Sequence, residues 1–95
     1  MTMKDRIKAK LEAGLDPVSI DVIDESHLHA GHSGARAGGQ THYRVNVAST
    51  RFSGKGRVER HRMIYALLAQ EIADGVHALA LQALTPEESL ARMAS

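Results

Sequence analysis

Six histidines and no cysteine occur in 95 residues, and four of the histidines, His27, His29, His32 and His42, fall in or beside one glycine-rich stretch. Imidazole is the commonest protein ligand for borderline metals, and its charge changes near neutral pH, so this local excess points to metal binding or proton handling. Without a thiolate the chain cannot by itself supply the sulfur ligands that iron–sulfur clusters normally require, and any such cluster has to be shared with a partner. His29 and His32 have His-x-x-His spacing, which binds zinc, nickel or copper weakly when no rigid element preorders the ligands, because ordering the loop costs entropy. His61 keeps helical spacing with Ile64, Tyr65 and Leu68 and reads as a packed histidine, whereas His77 shares strand parity with Leu79 and Leu81.

A second group of residues carries charge. Arg51, Lys55, Arg57, Arg60 and Arg62 make a basic run relieved only by Glu59, whereas Asp16, Asp21, Asp24 and Glu25 make an acidic one. The basic run surrounds a glycine turn at a helix start, where backbone N–H groups and the helix dipole favour phosphate. It reads as a nucleic-acid contact, a docking surface for an acidic partner, or a solvated surface. With few aromatics for base stacking, phosphate attraction alone would be weak and salt-dependent. No cysteine nucleophile, Gly-x-Ser-x-Gly elbow or phosphate-binding loop is present, so catalysis is not expected.

The elements that must position these groups follow from spacing. Met3, Ile7 and Leu11 mark an amphipathic helix with Thr2 as N-cap, Asp5 at N3 and Gly14 just past its end. Pro17 blocks continuation, and Val18 to Val22 alternates as a strand. From about Glu25 to Gln40, four glycines and no apolar period predict a long loop. Thr41 to Ser49 alternates again, with Tyr43, Val45 and Val47 facing a core and His42, Arg44 and Asn46 facing water. A turn over Phe52 to Gly56 leads to a helix from about Val58 to Ala73, its apolar face traced by Ile64, Tyr65, Leu68 and Ile72, ended by Asp74-Gly75. A third strand runs from about Val76 to Leu84, and Thr85-Pro86-Glu87-Glu88 is a capping box that opens a last helix. The predicted order, α-β-β-α-β-α, is an α+β domain with helices packed on one face of a small three-stranded sheet.

At this length one domain over residues 1–95 with one modest core is expected. No stretch approaches the ~18 apolar residues of a membrane span, and Met1 to Arg6 lacks the apolar core of a signal peptide. A cytoplasmic protein with no membrane partner is the expectation.

Several segments, in order, resemble the BolA family: Asp24-Glu25-Ser26 before the His/Gly loop, Thr41-His42-Tyr43-Arg44-Val45, Phe52-Ser53-Gly54-Lys55, Arg60-His61-Arg62-Met63-Ile64-Tyr65, and Val76-His77-Ala78-Leu79-Ala80. The resemblance implies a fold related to the class II KH domain and two roles. One is partnership with a monothiol glutaredoxin, sharing a 2Fe-2S cluster held by glutaredoxin cysteine, glutathione and histidines of the BolA-like chain, with none held by the isolated chain. On that resemblance the ligands are His77 and, in the loop, His29, with His32 as the alternative. Replacing thiolates by neutral imidazoles raises the reduction potential, and protonation near the imidazole reference pKa of ~6.5 competes with the metal, which suits transfer or sensing. The other implied role is DNA-binding transcriptional regulation through Arg51, Lys55, Arg57, Arg60 and Arg62. Gly54-Lys55-Gly56 has its glycines two apart, so the Gly-x-x-Gly backbone clamp of KH domains is absent in its usual form. An apo homodimer is left open.

Overall fold

A computed structural model describes residues 1–25 and 42–93. The elements are α1 (Met3–Leu15), β1 (Ser19–Asp24), β2 (His42–Ala48), a 3-10 turn (Thr50–Phe52), α2 (Arg57–Leu67), α3 (Ala69–Ala73), β3 (Ala78–Leu84) and α4 (Pro86–Met93). The architecture is α+β, as the spacing predicts. The sheet is mixed, in the order β1-β2-β3. β1 pairs antiparallel with β2, and β2 pairs parallel with β3. A parallel pair needs a long crossover, and α2 and α3 provide it.

α1 begins where Thr2 and Asp5 cap each other reciprocally. Its end differs from expectation. Gly14 lies inside the helix, and Asp16, at φ 45°, makes the left-handed cap. Gly14 instead serves close approach, since a Cβ there would fall 2.5 Å from Leu67 Cδ2 and force that side chain aside. Met3, Ile7, Leu11 and Leu15 pack on Val22, Tyr43, Val45 and Val47 from the sheet and on Phe52, Ile64 and Leu68. Buried Ser49 ties this layer together, its Oγ donating to the Leu15 carbonyl while accepting from the Arg51 amide. Among the described residues no helix is long and apolar enough to cross a membrane.

The single helix expected from Val58 to Ala73 is two. Leu68 leaves helical geometry at φ −102°, ψ 15°, and the chain restarts as α3. Ile64 and Leu68 are buried as the spacing implies, but Tyr65 and Ile72 are exposed and Glu71 is buried in their place. The third strand starts two residues later than expected, leaving His77 just ahead of it.

Candidate functional site

The parallel pairing sets His42 opposite Ala78, so the residue before β3 lands beside the first residue of β2. His77 and His42 therefore stand together, with ring centroids 5.4 Å apart and planes inclined at 51°. His77 is exposed, not half-buried as parity with Leu79 suggests, because the chain has not yet entered the strand. His42, expected to face water, is only 8% exposed, with the His77 ring beside it. Strand alternation predicts the side on which His42 stands, but not that a parallel neighbour covers it.

At this end of the sheet a recess of about 260 Å³ is lined by Glu25, His42, Tyr43, Arg44, Ala78, Leu79 and Ala80. The small Ala78 and Ala80 leave room over the strand starts. The Glu25 amide donates to the His42 carbonyl at 2.8 Å, so both ends of the 26–41 segment are rooted here. Arg44 Nε donates to Glu25 Oε2 at 3.0 Å and strengthens that closure. His29 and His32, with His27, lie outside the described residues. Among the described residues no group of three or more His, Cys, Asp or Glu assembles around a metal-sized centre. His77 makes no side-chain hydrogen bond among them, so its ring nitrogens suit ligation.

The basic run divides. Arg51 and Arg62 are exposed, Arg57 is exposed at the first residue of α2, and Lys55 is half-buried. Arg60 is a structural residue. Its Nε donates to the Lys55 carbonyl at 2.8 Å, its Nη1 donates to the Ala83 carbonyl at 3.0 Å and to Glu88 at 2.6 Å, and its guanidinium lies 5.9 Å from the centre of the Phe52 ring. It thereby locks α2 to β3 and α4. Arg60, followed by the Thr85 amide, holds the Glu88 carboxyl down at about 2. Arg60→Met should cost about 2 kcal/mol, because the Lys55 and Ala83 carbonyls lose a charged donor. Chemical denaturation of both forms measures this, and a change within about 0.5 kcal/mol would show that these bonds contribute nothing net. His61 is half-buried and faces a groove rather than the core.

A family model described as BolA-like protein matches residues 11–88. The chain is 47% identical over 87 residues to SufE-like protein 1, chloroplastic/mitochondrial, of Arabidopsis thaliana, a match that takes in 87% of this chain but 24% of that protein. It is 43% identical over 88 residues to the DNA-binding transcriptional regulator BolA of Escherichia coli K12, covering 93% of this chain and 80% of that one. Among solved structures, the BolA domain of SufE1 from Arabidopsis thaliana superposes with a TM-score of 0.84 at 45% identity, covering 93% of this chain and 96% of that domain. The His42–His77 pair thus sits in a fold and a sequence that agree over almost the whole chain, and the protein belongs to the BolA-like family.

Proposed function

We propose that this protein is a non-enzymatic adaptor that binds a monothiol glutaredoxin and shares a 2Fe-2S cluster with it, in cluster trafficking or iron sensing. His77 and a loop histidine, His29 with His32 as its alternative, are the ligands, and glutaredoxin cysteine and glutathione provide the thiolates. The supporting observation is the exposed His77 ring, 5.4 Å from His42, at the end of the sheet where the histidine-rich segment is rooted. When bound, the cluster supplies one-electron redox capacity and labile iron and sulfide. The protein's own part is to present imidazoles from a fixed strand end, so that the coordination sphere closes when the partner docks.

Co-expression with a monothiol glutaredoxin, followed by purification and assay, tests this reading. The expected complex retains iron and acid-labile sulfide in equal amounts. A complex free of iron, or a glutaredoxin whose cluster spectrum is the same with and without this chain, would refute it.

A second reading, DNA-binding regulation, draws on the similarity to the protein named DNA-binding transcriptional regulator BolA and on the exposed Arg51, Arg57 and Arg62. Arg51→Glu with Arg62→Glu should then abolish retention in a low-salt gel shift, and preference for a promoter over random DNA should survive at physiological salt. Loss of that preference reduces the reading to bulk electrostatics.

A further inference from the structure

We propose that the groove between α2, the outer edge of β3 and α4 is a binding site for a small phosphorylated molecule. Arg44 and Asn46 from β2, Arg57 and His61 from α2, Gln82 from β3 and Arg92 from α4 line a recess of about 370 Å³. Three guanidinium groups from three separate elements line it, and no carboxylate is among the described lining residues, although Glu25 pairs with Arg44 from outside it. Arg57 and His61 are one helical turn apart on the same side of α2, and neither makes a side-chain hydrogen bond or ion pair among the described residues. Arg44 gives its Nε to Glu25 and keeps its terminal nitrogens for another acceptor.

Chemistry narrows the ligand. An oxyanion in the recess is attracted by Arg57 and can be bonded by the terminal nitrogens that Arg44 does not give to Glu25. The planar guanidinium fork matches a phosphate in a two-point contact, which a lysine cluster would not provide. The volume is at the lower end of small-molecule sites, so a phosphate with a short attached group fits better than a bare ion. Asn46 and Gln82, able to donate or accept, would read that attached group. Among the described lining residues the one ring is the His61 imidazole, with no Phe, Tyr or Trp to stack successive bases, which disfavours single-stranded nucleic acid. Arg57, His61, Gln82 and Arg92 do not line the recess at the His42 end, although Arg44 lines both, and pyrophosphate binding is read without the cluster, so failure of this proposal and failure of the cluster reading are distinguishable.

The test is a titration of the isotope-labelled full chain with inorganic pyrophosphate, followed by two-dimensional NMR, with short random duplex DNA in a second arm. Backbone amides of residues 44–46, 57–61, 81–84 and 92 should shift together and saturate with pyrophosphate below millimolar concentration. Arg57→Glu should weaken binding by about tenfold or more, whereas Lys8→Glu on the distant α1 surface should leave it unchanged. Shifts that fail to saturate, that follow ionic strength alone, or that weaken equally in both variants would overturn the proposal. Perturbation by DNA without perturbation by pyrophosphate would overturn it in favour of nucleic-acid binding.

Discussion

In the proposed glutaredoxin heterocomplex, His77→Ala should abolish or markedly alter the visible absorption and circular dichroism of the shared cluster and lower cluster occupancy at least about tenfold. Loss of groups that merely orient metal ligands already costs about that much. The fold should be indifferent to the same change. His77 is exposed and lies outside β3, so its replacement should alter the stability of the apo chain by no more than about 0.5 kcal/mol. His42→Ala makes the necessary contrast, because His42 is buried at the start of β2 and its loss should cost about 1 kcal/mol or more. A stability effect at His42 with a spectral effect at His77 separates packing from ligation. His29→Ala and His32→Ala then decide between the loop candidates, since only the true ligand should reproduce the His77→Ala spectrum. Unchanged spectra in His77→Ala would remove it from the coordination sphere, and the cluster reading with it.

Local rules were enough for parts of this molecule. The Thr2–Asp5 box, the alternation of Tyr43, Val45 and Val47, and the Thr85–Glu88 box each depend on residues within one element, and each forms as its spacing implies. The failures depend on contacts between elements. Nothing in Tyr65-Ala66-Leu67-Leu68-Ala69 is a helix breaker, yet the helix restarts after Leu68, and Glu71, on the side of Ile64 and Leu68, takes the inward place that helical spacing assigns to Ile72. Gly14 resembles a helix terminator until the proximity of Leu67 gives it another role. Arg60 resembles its exposed neighbours Arg57 and Arg62, and only the tertiary positions of Ala83 and Glu88 make it structural. For the candidate site, the histidines were legible as residue types, and His77 as a family match. The pairing of His42 with His77 was not, because strand order and parallel register are not encoded in alternation.

Buried Glu71 on α3 underlies the largest stability effect expected in this fold. Glu71 is 1% exposed, and its carboxylate holds α1 against α3. Arg6 donates to Oε2 from Nε at 3.2 Å and from Nη2 at 3.0 Å, and Lys10 Nζ donates to Oε1 at 3.1 Å. Arg6 Nη2 also reaches Asp74 at 2.6 Å, which extends the network. Glu71→Ala should cost about 2 kcal/mol, since the packing and the inter-helix bonds go but the two cations can turn to water. Replacing both Arg6 and Lys10 by Ala should cost more than Glu71→Ala, because it leaves a buried carboxylate without a counter-charge. The pH dependence follows from the same balance. Burial is the largest influence on Glu71 and pushes its carboxyl up, but the bonds from Lys10, a backbone N–H and Arg6 together hold it below its ordinary value. A folded carboxyl that titrates below its unfolded value of about 4.3 contributes stability that is fully present above that value and is lost as pH falls through the folded one. Without the cations, burial, the largest influence, is opposed only by the backbone N–H and raises the carboxyl, so the double variant should begin to lose its excess instability relative to wild type as acid protonates Glu71. Urea midpoints of the wild type and the double variant should therefore differ most near neutral pH and draw together as the pH falls below the ordinary carboxylate range and acid protonates Glu71 in the wild type as well. A gap that stays constant across this range would mean that the carboxylate is solvated and that α1 is held to α3 by apolar contacts alone.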